Sequence, residues 1–220
     1  MSKYPRTPHL PWSPGRSRDD RVLDSANHLI AKKLIITEKL DGSNLCMTGD
    51  DVFARSHASS PTHSSFSRAK QVHSCVKHLI HGGLQIFMEY CEAVHTIVYD
   101  EGLPSAFHLI GIFEPATNLW LPWVALEMSA KKLSSVGVPF VTVPVLARIS
   151  VTSEAALEKV TLDCFRKPSQ YGSEIEGVVV RVAGSFEPQE FPLSVAKYVR
   201  ANHVAGEHWK KGTYTPQRIA

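Results

Sequence analysis

Long apolar runs are missing from this chain: no stretch of about 18 consecutive apolar residues occurs, which excludes a membrane-spanning helix as the organising element. The opening MSKYPRTPHLPWSPG has no apolar core of the kind a secretory signal needs, so an intracellular, cytoplasmic protein is expected. Cysteine is scarce. Cys46, Cys75, Cys91 and Cys164 stand far apart with no C-x-x-C pair, which argues against a zinc knuckle or a disulfide framework and leaves four buried free thiols as the expectation. Neither charge sign dominates: the formal net charge is +3 with 11 histidines uncounted, which permits a polyanionic partner without demanding one. Internal repeats and low-complexity tracts are absent as well. His57, His63, His73, His78 and His81 crowd one stretch, but their spacing fits no standard zinc site and reads as a solvated helix face.

What is present is an ordinary globular composition, 43% hydrophobic and 20% charged, able to bury a sizeable core. A length of 220 residues suits one large domain over 1–206, because domains commonly run about 100 to 150 residues. Pro5, Pro8, Pro11 and Pro14 with Trp12 mark 1–18 as an extended strap. A basic tail occupies 207–220, and within it 209–218, with Lys210 and Lys211, is expected to be flexible. Between them, helices are predicted at 19–33, 66–80, 120–136 and 153–166, the last capped by Thr152 or Ser153. Strands are predicted at 34–39, 44–48, 52–55, 84–90, 107–113, 175–182 and 191–199. Strands at separated points with helices inserted favour an α+β domain built on antiparallel sheet.

The segment TEKLDGSN sets one lysine, Lys39, after the apolar run Leu34, Ile35, Ile36 and before an Asp41-Gly42 turn. An amine at the end of a buried strand can be positioned as a nucleophile, provided its ammonium form is disfavoured by burial or by neighbouring cations. Arg55, Lys197 and a divalent metal are the candidates for such cations. Three further segments follow in order: FMEY, ending a strand in Glu89; EIEGVVVR, opening one with Glu176; and SVAKYVR, ending in Lys197 and Arg200. An amine, two carboxylates and late cations are the set needed for attack on the α-phosphorus of a nucleoside triphosphate, with hard oxygen ligands for Mg²⁺ or Mn²⁺.

This ordered series resembles the covalent nucleotidyltransferases, the superfamily of ATP-dependent DNA ligases, RNA ligases and mRNA capping enzymes. TEKLDGSN, ARS, FMEYCEAVHTIVY, FHLIGIFEP and EGVVVR are most similar to the RNA ligase branch, in particular to small phage and bacterial members, over roughly residues 34–200. The resemblance implies a nucleotidyltransferase (ATP-grasp-like) fold with antiparallel sheets flanked by helices. It implies that Lys39 takes up AMP, that Glu38 lies near the adenine, and that Arg55 contacts the ribose or the phosphates. Glu89 would accept from a ribose hydroxyl, although Met88 stands where relatives usually have Gly. Ile110 would cover the adenine face, with Phe107 and Phe113 as near alternatives. Glu176 would bind the catalytic metal, and Lys197 would grip the α-phosphate, with the division of labour between Lys197 and Arg200 left open.

The expected activity is ATP-dependent joining of a 5′-phosphate and a 3′-hydroxyl RNA end through lysyl-AMP and RNA-adenylate, by a monomer that could work with an end-healing partner in RNA repair. The alternatives are a DNA ligase or capping-type enzyme, and an inactive nucleic-acid-binding module. The 23 residues after Lys197 are too few for an OB or other second domain, since a domain needs about 50, so RNA would be gripped by this domain's surface, its tail or a partner. Arg6, Thr7, Pro8 and His9 either reach the phosphates or RNA end or serve as structure alone.

Overall fold

The computed structural model describes residues 3–55, 60–201 and 214–220. The apolar run at Leu34 opens β1 (Leu34–Lys39), and the hairpin expected next forms from β2 (Ser43–Met47) and β3 (Val52–Ala54), paired antiparallel. Then come α1 (Ser67–Val76), β4 (Gln85–Tyr90), β5 (Phe107–Glu114), β6 (Leu119–Trp120) and α2 (Trp123–Ser134). The chain continues through β7 (Val141–Thr142), β8 (Val145–Ile149), α3 (Glu154–Phe165), β9 (Gly177–Val182), α4 (Phe191–Ser194) and β10 (Val195–Val199). Among the described residues the strands form two sheets, ordered β10-β9-β1-β8 and β3-β2-β4-β5-β6, with β7 added parallel to β5 and every other pairing antiparallel.

Alternation along the strands sorts side chains into three cores. Leu34, Ile36, Val178, Val180 and Ala196 bury one face of the first sheet against Leu157 and Cys164 of α3. Leu45, Met88, Phe107 and Leu109 bury the outer face of the second sheet against α1 and α2 through Val72, Val76, Leu126 and Leu133. Between the sheets lies an aromatic cluster of Phe87, Phe113, Trp120, Phe186 and Phe191, into which Tyr4 of the strap inserts edge-on against Trp120 and Phe191. The cleft described below opens above this cluster.

The structure corrects several sequence expectations. The segment 19–33 contributes only the single turn Asn27–Leu29, because Arg21 and Leu23 bond the strap at His9 and Ala31 takes a left-handed φ of 61°. Trp120 belongs to a strand; Pro122 is the N-cap, and the helix starts at Trp123. Residues 191–194 turn as α4 before the sheet resumes. Cys75 is exposed, leaving three buried thiols, and His73 is buried with Nε2 2.8 Å from the Thr48 carbonyl oxygen. The strap does more than lie on the surface: Lys197 N–H donates to Pro8 O, Leu10 N–H to Lys197 O, and Gly15 N–H to Val199 O, at 2.8–3.0 Å, so it runs as an added edge along β10. Residues 214–220 of the tail are pinned by backbone bonds to Glu92, Val94 and Leu103, where flexibility was expected through 218. Lys210, Lys211 and His57 lie outside the described residues, and no described helix is long and apolar enough to cross a membrane.

Candidate active site

Lys39 ends β1 on the face turned toward the second sheet, across from Gly177 of β9. Its Nζ lies 2.6 Å from Oε1 and 2.7 Å from Oε2 of Glu176, a buried carboxylate, while about a quarter (26%) of the lysine side chain stays exposed. Glu89 stands close by from β4, accepting at 3.0 Å from the Gly42 N–H of the turn that follows β1. Burial works against the Lys39 charge, but the Glu176 and Glu89 carboxylates outweigh it and hold the pKa above its ordinary value. The expected depression is therefore reversed here: this site keeps the amine protonated. Burial, reinforced by Glu176 and opposed by Lys39, pushes Glu89 up to about 7.

The turn is built to hold this geometry. Asp41 Oδ2 accepts from Thr96 N–H at 2.7 Å, Thr96 Oγ1–H at 2.6 Å and Ile97 N–H at 3.0 Å, bonds that outweigh its burial and lower its pKa. Tyr99 Oη in turn accepts from the Asp41 N–H at 2.7 Å. A Cβ at Gly42 would come within 2.7 Å of the Tyr90 carbonyl oxygen, so only glycine lets the turn sit against β4. Glu38 is buried, with Ser169 Oγ donating to Oε1 at 2.5 Å and Gln170 N–H to Oε2 at 3.1 Å.

A cavity of about 840 Å³ lies between the sheets, and all seven residues singled out from the sequence line it: Glu38, Lys39, Arg55, Glu89, Ile110, Glu176 and Lys197. Phe107 and Phe113 do not; the first packs on Phe140 and the second on Trp120. Ile110 reaches the cleft because β4 and β5 shift register at Phe87/Met88, which leaves it as the extra residue between Leu109 and Gly111. Met88 fills the outer core beside that bulge. Lys197, its pKa lowered by burial, lies 3.6 Å from Asp20 Oδ1, whereas Arg200 turns away to pair with Glu174 at 2.9 Å. Arg55 is exposed at the rim, and Arg6 and Thr7 line the cavity while His9 is buried behind them.

Sequence reasoning missed two wall residues. His95 Nε2 lies 3.3 Å from Ser43 Oγ and its Nδ1 3.9 Å from Asp41 Oδ1; it stands in the quoted FMEYCEAVHTIVY but its place beside the lysine is a tertiary fact. Arg181, the last residue of EGVVVR, is buried without a carboxylate, donating to Ile110 O at 3.0 Å and Leu121 O at 2.6 Å beneath the rings of Trp123 and Phe186. Burial lowers its pKa to about 10.

The cleft thus gathers an amine paired with a buried carboxylate, a second carboxylate beside it and cations at the rim. The family model for RNA ligase matches residues 32–199, and the chain belongs to the RNA ligase family. No curated protein gives a significant sequence match. Among solved structures, a lysine-to-alanine variant of Naegleria gruberi RNA ligase with ATP and Mn superposes with a TM-score of 0.60 at 18% identity, over 80% of this chain and 52% of that one. The same organism's RNA ligase with PPi gives 0.59 at 19%, over 84% and 54%. A second lysine-to-alanine variant with ATP and Mn gives 0.59 at 17%, over 91% and 61%. These likenesses establish a shared fold, the α+β architecture with antiparallel sheets. This chain spans between half and about three fifths of those structures.

Proposed function

We propose that this chain carries out ATP-dependent RNA ligation, with Lys39 as the nucleophile. The observation that carries the reading is the Lys39–Glu176 pair at 2.6 Å inside a cleft that also gathers Glu89, Arg55 and Lys197. The neutral amine of Lys39 forms a P–N bond to the α-phosphorus of ATP as the P–O bond to pyrophosphate breaks. Engaging the Glu176 carboxylate elsewhere removes the largest charge that holds the Lys39 pKa up, which favours the neutral amine that the attack requires. Lys197, on the neighbouring strand but one, holds the α-phosphate and stabilises its developing charge. Glu89 accepts from a ribose hydroxyl, Ile110 covers the base, Glu38 stands near the adenine with its carboxylate fixed by Ser169 and Gln170, and Arg55 meets the ribose or phosphates at the rim.

Among the described residues no group of three or more His, Cys, Asp and Glu is arranged to hold a metal ion. A single buried carboxylate at Glu176 still fits Mg²⁺ or Mn²⁺, which keep water and take phosphate oxygens as their remaining ligands. Bound there, the ion supplies positive charge to the phosphates. AMP then passes to an RNA 5′-phosphate and is displaced by a 3′-hydroxyl. Incubation with α-labelled ATP and Mg²⁺ tests the first step: label that survives denaturation on the wild type and is absent from Lys39→Ala supports the reading, and an unlabelled wild type overturns it. Sealing of nicked RNA against nicked DNA then tests the substrate.

A further inference from the structure

Beside the main cleft lies a second cavity of about 250 Å³, sharing Arg6, Thr7, Arg55 and Lys197 with it and walled on its far side by Ser17, Asp19, Asp20 and Arg21. Main-chain bonds fix these walls: His9 N–H donates to Arg21 O at 2.7 Å, Leu23 N–H to His9 O at 2.9 Å, and the strap is held along β10. Four cations face two carboxylates. Of the carboxylates, Asp20 is already engaged, accepting from Ser17 N–H at 2.9 Å and Oγ–H at 3.0 Å, with His9 Nε2 at 3.4 Å and Lys197 Nζ at 3.6 Å. Burial opposes its charge, yet these partners hold its carboxyl down at about 2. Arg6, Arg21 and Arg55, by contrast, make no side-chain hydrogen bond or ion pair among the described residues. Guanidinium groups brought together around a concavity, outnumbering its carboxylates and paired directly with none among the described residues, form a receptor for an anion with several oxygens.

The position of this cavity says which anion. Lys39 borders only the larger cavity, Arg21 only the smaller, and Lys197 borders both. An α-phosphate held by Lys197 would therefore have the nucleophile on one side and Arg21 on the other, with Arg6 and Arg55 at the junction of the two cavities. In-line displacement at phosphorus places the leaving group opposite the entering one. We propose that the strap cavity is a phosphate-binding subsite opposite Lys39, receiving pyrophosphate as it departs and the RNA 5′-phosphate as it arrives. In the second case an oxygen of the 5′-phosphate forms a P–O bond to the adenylate phosphorus while the P–N bond to Lys39 breaks, and the released amine takes a proton from water. This inference rests on the proposed function for the order of events, but beside Arg55 and Lys197 the anion site includes two cations which that reading does not use, Arg6 and Arg21.

Calorimetric titration of the full chain with inorganic pyrophosphate, and with a 5′-phosphorylated oligoribonucleotide beside its 5′-hydroxyl twin, tests the site directly. Arg21→Ala should weaken pyrophosphate by about tenfold and reduce the preference for the 5′-phosphorylated strand, and adding Arg6→Ala should deepen both losses. Arg21→Lys should recover part of the binding, which separates lost charge from a damaged fold. Loss confined to one anion supports the subsite and assigns it to that source. Wild type that binds neither anion, or binding unchanged in the double variant, overturns it. Wild type that binds pyrophosphate through Arg21 yet takes no label from ATP leaves the subsite standing and sinks the proposed nucleophile.

Discussion

Two cations, Arg181 buried and Lys39 partly so, share one face of the same sheet and have opposite surroundings. Arg181 pairs across β9 with Ile35, and Lys39 lies four positions further along β1, about 13 Å at the rise of a strand. Lys39 is held by ionisable groups, Glu176 and Glu89. Arg181 is held by two backbone carbonyls of the facing sheet and by aromatic rings. Backbone carbonyls do not titrate and are held in place by their own chain, so the Arg181 end of the cleft is a fixed strut between the sheets. Carboxylates titrate and can be drawn to another cation, so the Lys39 end is exchangeable. Chemistry is expected only where the partners can change.

The largest effect that sharpens this contrast comes from Lys39→Arg, which keeps the cation for Glu176 but removes the nucleophile. Covalent AMP labelling should fall at least 10³-fold, to the detection limit, and retained labelling would end the distinction. The reciprocal change, Arg181→Lys, keeps charge but cannot reach both Ile110 O and Leu121 O, so chemical denaturation should show a loss of about 2 kcal/mol in stability. An unaltered midpoint would show that Arg181 is not a strut.

Glu89→Gln probes the ionisable end through pH. With a folded pKa of about 7 against an ordinary 4.5, Glu89 takes up a proton on folding between those values. Its contribution to stability is therefore best below pH 4.5 and is lost as pH rises through about 7. The glutamine variant should flatten that decline, gaining on the order of 1 kcal/mol relative to wild type at pH 8 compared with pH 5, measured by urea midpoints. Parallel profiles would refute the burial of this carboxyl. The smallest effect is expected from Ile110→Ala, which trims apolar cover without touching charge and should raise the ATP concentration for half-maximal labelling about fourfold.

The same contrast explains what the sequence made legible. Lys39, Glu89, Glu176 and Lys197 were readable because an ordered series of short motifs carries them, three within strands and Glu176 just before β9, and all line one cavity. Protonation was not readable, since the sign of the Lys39 shift depends on Glu176, 137 residues away. Residues 19–33 carry helical composition, yet their backbone groups are taken by the strap, a long-range competition that local propensity does not record. β8 was overlooked because Val145–Ile149 is a short, half-buried edge whose identity comes from pairing with β1. Ile110 could be aligned to its place, but the bulge that turns it into the cleft exists only in the register of two strands.

At Gly177 the chain has no room for growth: a Cβ there would come within 2.0 Å of the Tyr198 carbonyl oxygen. The residue before it is Glu176, and Arg200 N–H donates to the Glu176 carbonyl oxygen at 3.0 Å. Any heavier residue at 177 must lever β9 from β10 and swing the adjoining carboxylate off the amine. An alanine at this position should therefore silence the protein while leaving every charged group of the cleft chemically intact.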